Sequence, residues 1–182
     1  MSKVYLGLGT NLGDKKQNML RAIEAIKEKI GKVVSLSSFY ETAPWGFDSE
    51  NSFLNAAACV ETAFPPLEVL HLTQDIEKAM GRSKKSVKGV YSDRVIDIDL
   101  LLYDNIVFNS PELVLPHPLM TERAFVMTPL SEIAGGLLHP VFRTQTVCIR
   151  QRRILTIKKT AGLYRKFISR LDIYFQPEDM YL

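Results

Sequence analysis

Asp97 and Asp99 are separated by a single residue, Ile98, in the apolar segment 94–102. Because side chains two residues apart in a strand project from the same face, both carboxylates would lie side by side, with the alternate apolar residues opposite. Two adjacent carboxylates in apolar surroundings repel each other and resist the loss of water. Magnesium would relieve both costs, since it is commonly held by one or two carboxylates together with water and phosphate oxygens. The alternative is a solvated acidic face on an edge strand.

Positive charge is concentrated just before this segment. Arg82, Lys84 and Lys85 lie in a stretch with little apolar content, and Arg94 begins the apolar segment itself. Phosphoryl transfer depends on cations placed around the phosphates more than on covalent chemistry by the protein. The stretch 82–93 therefore predicts a loop that closes over a nucleotide. A solvated charged loop is the competing interpretation.

His117 and Arg123 form a third cluster. Prolines on both sides of His117 restrict its backbone, and an arginine can bind phosphate through two parallel hydrogen bonds. The chain contains neither a GxxxxGK[ST] phosphate loop nor the signatures of protein kinases. A nucleotide site in this chain would therefore have a different architecture.

The segments that position these residues follow a β-α-β-β-α-β order. In chain order the sequence predicts a strand from Val4 through Leu8, a helix ending at Gly31, strands at 33–40 and 53–62, a helix from Pro65 to Gly81 and a strand at 94–103, which a hairpin turn at 104–105 joins to a short strand at 106–108. This order predicts a ferredoxin-like α+β sheet with the helices on one face, followed by a C-terminal hairpin and helix extension.

Length and composition indicate a single globular domain. The chain has 182 residues, of which 46% are hydrophobic and 24% charged. No apolar run approaches the roughly 20 residues of a membrane helix, and the N-terminus lacks a signal-peptide layout. Cys59 and Cys148 form neither a disulfide framework nor a metal spacing. We therefore expect a cytoplasmic protein.

Charge divides the chain into a domain at 1–142 and a basic tail at 143–182. Nine Lys and Arg residues, and no acidic residue, lie between positions 143 and 170. A basic tail can bind nucleic acid or a membrane surface. We favour a tail without function, and expect neither a membrane nor a nucleic-acid partner.

Several groups of residues, taken together, resemble the hydroxymethyl-dihydropterin pyrophosphokinases in order and spacing. The resemblance extends from Val4 to about Pro140 and is far more specific than a single motif. The matching groups are GTNLG at 9–13, SSFYETAP at 37–44, FLNA at 53–56, Gln74 with Glu77, Gly81 with Arg82, Arg94 with Asp97 and Asp99, and Pro116 to Pro118 with Arg123.

The resemblance implies a ferredoxin-like monomer of folate synthesis that transfers the terminal pyrophosphoryl unit of ATP to the hydroxymethyl oxygen of a dihydropterin. It implies that Asp97 and Asp99 bridge two Mg²⁺ ions, and that Arg82 and Arg94 meet the charge of the transferring phosphates. The residues it places around the nucleotide are Gln74, Glu77, Lys84, Lys85, Ile98, His117 and Arg123.

The resemblance also implies a pterin pocket. Its residues would be Thr42, Pro44, Trp45, Phe53, Asn55 and Phe125. Phe53 and Phe125 would stack on the ring and Asn55 would read its edge, a division that suits a flat heterocycle rich in hydrogen-bond donors.

The sequence departs from the family at 90–93. The family usually has a basic residue, an aromatic residue, Gly or Ala, and Pro before the arginine, whereas this chain has Val, Tyr, Ser and Asp. Asp93 would bring a negative charge near the phosphates. ATP affinity and the closure of the loop are the properties that this departure would change.

Two other classes of function remain as alternatives. Gly7, Gly9 and Gly13 lie between a strand and a helix, and Glu41 ends the next strand, as in a nicotinamide-dependent oxidoreductase. Their spacing is GxGxxxG, however, and the second and third predicted strands are joined without a crossover helix, which predicts an antiparallel pair. The basic tail leaves a nucleic-acid or membrane interaction module as the other alternative. The paired aspartates favour an enzyme over an interaction module.

Overall fold

A computed structural model describes residues 1–81 and 92–150. Arg82, Lys84, Lys85 and the tail beyond Arg150 therefore lie outside the described residues. The elements are β1 (Ser2–Thr10), α1 (Lys15–Lys29), β2 (Lys32–Leu36), β3 (Tyr40–Thr42), β4 (Phe53–Thr62), α2 (Pro66–Ala79), β5 (Asp97–Tyr103), β6 (Phe108–Asn109), β7 (Val114–Leu115), a 3-10 turn at Met120–Glu122 and α3 (Ala124–Ala134).

β1 lies between β4 and β5 and is antiparallel to both, in a sheet ordered β2-β4-β1-β5. This strand order confirms the predicted ferredoxin-like α+β fold. In the register of the sheet, Gly9 is paired with Asn55 on β4 and with Asp97 on β5, while Gly7 is paired with Asp99. The sheet thus gathers one amide and two carboxylates around two residues that have no side chain.

Helices cover both faces of the sheet. α1 and α2 share one face, where Met19, Ile26 and Ile76 join the buried cluster that includes Ile98 of β5. α3 covers the other face through residues such as Leu130 and belongs to a second buried cluster. The predicted pair of helices on one face is confirmed, and the extension adds the third helix opposite them. None of the helices among the described residues is long and apolar enough to cross a membrane.

Two predicted strands differ from the observed ones. The single strand predicted at 33–40 is divided into β2 and β3. At the buried Ser37 between them, a side-chain oxygen takes the place of a backbone carbonyl in the pairing with β4: Oγ accepts a hydrogen bond from the backbone N–H of Ala57 at 2.9 Å. The short strand predicted at 106–108 does not form a hairpin with β5. Phe108 pairs with Leu115 of β7 instead. The turn at Asp104 is present, but it leads the chain away from β5.

The packed structure continues beyond the predicted boundary at residue 142. Thr146 is fully buried and its hydroxyl donates to the carbonyl oxygen of Ala134 at the end of α3. Ile149 is 8% exposed and belongs to the buried cluster under α3. Thr146 and Ile149 therefore pack against the domain, while the division of the chain at residue 142 and the lack of function of the tail stay predictions.

We expect Ile149→Ala to lower the free energy of unfolding by about 2–3 kcal/mol, because it removes buried methyl groups and leaves a cavity. Val141→Ala is the matched control, since Val141 is 54% exposed and its truncation should change stability by less than about 0.5 kcal/mol. Urea unfolding of both variants measures the difference. Equal stability of the two variants would show that residues 143–150 are not part of the domain.

Candidate active site

An open cleft, whose empty space of about 600 Å³ includes adjoining solvent, lies over β1, β4 and β5. The glycines of β1 form part of its floor. A Cβ atom added at Gly9 would stand 3.2 Å from Oδ1 of Asn55, and one at Gly7 would contact the side chain of Leu101. Glycine at these positions therefore keeps the floor open. The side chains that line the cleft include Thr42, Trp45, Phe47, Phe53, Asn55, Arg94, Asp97, Asp99, Arg123 and Phe125.

Each aspartate of β5 is accompanied by an arginine. Arg94 donates from Nη1 to Oδ2 of Asp97 at 2.7 Å, and Nη1 of Arg123 lies 3.8 Å from Oδ2 of Asp99. The Arg94 and Asp97 side chains are only 12% and 21% exposed, so this pair is screened less than a surface ion pair. The protein itself thus offsets the repulsion between the carboxylates, and that repulsion alone does not require a cation.

Aromatic side chains form the opposite side of the cleft. The ring centroids of Trp45 and Phe125 are 6.1 Å apart, and Phe47 meets Phe53 edge-on at the same separation. The two arginines connect this wall to the carboxylates: Cζ of Arg94 lies 5.5 Å from the centroid of Phe53, and Cζ of Arg123 lies 5.0 Å from that of Trp45. These are cation–π distances. A flat apolar surface and a charged surface therefore adjoin in one cleft.

Asn55 is buried between these surfaces. It is 4% exposed, and its Nδ2 donates to Oγ1 of Thr42 at 2.9 Å. This bond fixes the amide plane, so that its oxygen is presented beside Gly9. A fixed amide in an apolar cleft is suited to recognise the edge of a planar ligand.

α3 is tied to the strands that carry this wall. The carboxylate of Glu132 accepts hydrogen bonds from the backbone N–H of Ser38 at 3.0 Å and from the hydroxyl of Tyr40 at 2.8 Å. Burial, followed by the bond to Glu132, raises the pKa of Tyr40 to about 12, so the phenol stays a donor at neutral pH. These hydrogen bonds of Glu132 hold α3, and with it Phe125 at the start of the helix, beside the loop that follows β3.

Some of the residues predicted around the nucleotide lie outside the cleft lining. Glu77 is buried on α2 and its Oε1 accepts from the backbone N–H of Ile98 at 2.7 Å, which fixes β5 between the two aspartates. Gln74 is partly exposed one helical turn before it. Pro44, which was predicted for the pterin pocket, precedes Trp45 and does not line the cleft either. For Glu77 and Ile98 the observed contact is with each other, and their nucleotide role stays a prediction.

His117 does not line the cleft; it borders a second hollow, together with Pro116, Pro118, Thr121, His139, Val141 and Phe142. Burial, with help from the Arg123 guanidinium, lowers the pKa of His117 to about 4, so its ring is neutral at pH 7. Its Nδ1 accepts from the backbone N–H of Leu119 at 3.2 Å, and the neutral ring then carries its proton on Nε2. His117 can therefore donate one hydrogen bond, but it adds no positive charge at neutral pH.

The sequence did not predict that Phe47 and Gly9 line the cleft. Phe47 lies two residues after Trp45 in the loop between β3 and β4, where an aromatic residue carries no periodic signal. Gly9 belongs to the GTNLG group, and neither that motif nor the GxGxxxG spacing predicts a place beside Asn55 and Asp97. Its position between Asn55 and Asp97 depends on the register of three strands, which one-dimensional patterns do not give.

Residues 5–135 match the profile of a family described as 7,8-dihydro-6-hydroxymethylpterin-pyrophosphokinase (HPPK). A 2-amino-4-hydroxy-6-hydroxymethyldihydropteridine pyrophosphokinase from Porphyromonas gingivalis is 49% identical over 143 residues, which are 77% of this chain and 95% of the relative. This chain belongs to the HPPK family. An enzyme of the same name from Aquifex aeolicus is 38% identical over 143 residues, covering 79% of this chain and 87% of the relative.

Solved structures share the HPPK fold. The wild-type HPPK-DHPS of Plasmodium falciparum superposes with a TM-score of 0.71 at 16% sequence identity, over 89% of this chain and 46% of that one. The chain thus spans about half the length of that protein. At this identity the likeness concerns the fold alone.

We expect Asn55→Ala to weaken dihydropterin binding by about tenfold to a hundredfold, because a ligand edge would lose its buried hydrogen-bond partner. ATP affinity should change by less than about threefold, since Asn55 faces the aromatic wall. Separate titrations of each ligand measure both values. Asn105→Ala, at an exposed turn, is the matched control. Equal losses for the two ligands would make Asn55 a structural residue.

Proposed function

We propose that this chain transfers the pyrophosphoryl unit of ATP to 6-hydroxymethyl-7,8-dihydropterin in folate synthesis. The hydroxymethyl oxygen attacks the β-phosphorus and loses its proton. The bond between that phosphorus and the oxygen bridging to the α-phosphate breaks, and AMP leaves with the bridging oxygen. The products are AMP and the pterin diphosphate.

The observation that carries this proposal is the single cleft in which an aromatic wall with a fixed amide adjoins a pair of carboxylates and two arginines. Family membership supports the reaction, and the two kinds of surface in the cleft suit a planar heterocycle and a triphosphate. The antiparallel pairing of β1 with both of its neighbours gives no support to the nicotinamide-dependent alternative, which needs a parallel β-α-β unit.

The pterin would occupy the aromatic side of the cleft. Phe53 and Phe125 would stack against its ring, and Asn55 would bind its edge. Trp45 would close the outer side, where it already contacts Phe125. Stacking and edge recognition together select a planar heterocycle that carries hydrogen-bonding groups on one side.

The phosphates would lie over β5. Arg94 and Arg123 lie there beside Asp97 and Asp99, and a guanidinium can form two parallel hydrogen bonds with phosphate oxygens. His117 would donate from Nε2. Arg82, Lys84 and Lys85 would add further positive charge from the segment before Ser92, as the family resemblance implies.

The two aspartates fit magnesium by their donor chemistry. Both are hard oxygen donors that line the cleft, and residues 1–81 and 92–150 contain no group of three potential His, Cys, Asp or Glu ligands. A site of two carboxylates suits an ion that keeps several waters and takes its other ligands from phosphates. When bound, two Mg²⁺ ions would neutralise triphosphate charge, and Asp97 and Asp99 would hold them.

An ATP-to-AMP assay with 6-hydroxymethyl-7,8-dihydropterin tests the function directly. We expect AMP and pterin diphosphate in equal amounts, no ADP, and no turnover when Mg²⁺ is chelated. Reactions without pterin measure background hydrolysis of ATP. Formation of ADP, or pterin-independent release of AMP, would contradict the proposal. The monomeric state and the cytoplasmic location stay predictions, as does the absence of nucleic-acid and membrane partners.

A further inference from the structure

The carboxylate of Asp93 connects two segments that border the cleft. Its Oδ1 accepts a hydrogen bond from Nδ2 of Asn11 at 2.6 Å, and its Oδ2 accepts one from Nδ2 of Asn51 at 3.1 Å. Asn11 lies in the turn between β1 and α1. Asn51 lies in the pocket loop, defined here as residues 43–52 between β3 and β4. Each carboxylate oxygen therefore holds one segment.

Asn11 extends this connection to Arg94. Its Oδ1 accepts from the backbone N–H of Arg94 at 2.8 Å, and its own backbone N–H donates to the carbonyl oxygen of Arg94 at 3.1 Å. Asn11 is only 3% exposed, so these bonds are shielded from water. One buried asparagine, through its side chain and its own backbone, thus holds both the N–H and the carbonyl group of Arg94.

The pocket loop needs such an anchor. It carries Trp45 and Phe47, which form much of the aromatic wall. Its end is fixed by Lys15, which donates to the hydroxyl of Ser52 at 2.7 Å. Hydrogen bonds from Ser49 and then Asn11 lower the pKa of Asp93 below its usual range, and keep the carboxylate ionised at neutral pH. Asp93 thus holds the loop on the side facing Arg94.

We propose that Asp93 is a positioning residue that holds the pocket loop in the conformation that binds the pterin, and aligns that loop with Arg94 through Asn11. Its charge, expected from the sequence to oppose the phosphates, is directed instead to the amides of Asn11 and Asn51. The substrate named in this inference rests on the proposed function. The link between the loop and Asp93 does not.

Tryptophan fluorescence tests the link without any substrate. Trp45 is the single tryptophan of the chain and lies in the pocket loop, so its quenching by acrylamide reports how open the loop is. We compare the wild type with Asp93→Ala, Asn51→Ala and the double variant. Asp48→Ala is the control, because it removes an exposed carboxylate from the same loop.

We expect quenching to increase in each single variant, and the double variant to be no worse than Asp93→Ala alone, since Asp93→Ala already removes the bond to Asn51. In the turnover assay the pterin KM should rise about tenfold in Asp93→Ala, with the ATP KM changing by less than about threefold. Asp93→Asn keeps one acceptor oxygen and should restore part of the pterin affinity.

Three results of the quenching series would overturn the proposal: unchanged quenching in Asp93→Ala, an additive double variant, or the same effect from Asp48→Ala. An altered quenching with an unchanged pterin KM would also overturn it, because the link would then be structural only. If the wild type forms no AMP, the proposed function fails, while the quenching series still decides whether Asp93 holds the loop.

Discussion

Asp97→Asn and Asp99→Asn are each expected to lower turnover by about a thousandfold or more, since the loss of a metal-binding carboxylate removes several kcal/mol of charge stabilisation. Asparagine preserves the shape of the side chain and one acceptor oxygen, so the contact of Asp97 with Arg94 at 2.7 Å can persist as a neutral hydrogen bond. The fold should therefore survive, and circular dichroism would show it. Steady-state AMP formation at several Mg²⁺ concentrations measures the loss.

Glu24→Gln is the matched control for these variants. It makes the same carboxylate-to-amide change on the outer face of α1, where Glu24 pairs with Lys27 at 2.6 Å and both side chains are well exposed. Its activity should equal that of the wild type. Near-native turnover in either aspartate variant would exclude that residue as a ligand of an essential metal ion.

Arg94→Ala is expected to lower kcat at saturating ATP by about a hundredfold, because charge gathers on the transferring group and on the departing AMP oxygen in the transition state. Arg94 is suited to meet that charge, since it is held over β5 by Asp97 and by the backbone bonds to Asn11. Arg94→Lys keeps the charge but not the planar fork, and should be intermediate.

The separation of kcat from KM decides the role of Arg94. Arg21→Ala, which removes an exposed arginine from α1, is the control for a general change of charge. If the ATP KM alone rises in Arg94→Ala while kcat is preserved, Arg94 binds the ground state of the nucleotide and has no part in the transition state.

The local features of the fold could be predicted from the sequence because they depend on short-range periodicity. Apolar residues at helical spacing located α1 and α2, and the alternation of the strands placed Asp97 and Asp99 on one face. The ferredoxin-like order followed from the sequence of elements. Two predictions were wrong: the single strand at 33–40 and the hairpin between β5 and residues 106–108. Both concern strand pairing, which depends on contacts with distant residues.

The family, too, was determined by the sequence, because ordered groups of residues such as GTNLG and the DID of β5 identify it without a structure. Tertiary structure decided how the site is assembled. Arg123 and Asp99 are far apart in the chain and meet only because α3 covers the second face of the sheet. Gly9 lies between Asn55 and Asp97 because three antiparallel strands share one register.

Asp93 shows the same division most clearly. From the sequence it is a negative charge next to a phosphate-binding arginine, and electrostatics alone predicts that it weakens nucleotide binding. The fold places the amides of Asn11 and Asn51 on its two oxygens, and makes it a link between segments. Sequence determines which charges and which faces exist. Which groups those charges meet depends on the packing of segments that are distant in the chain, and only the tertiary structure decides it.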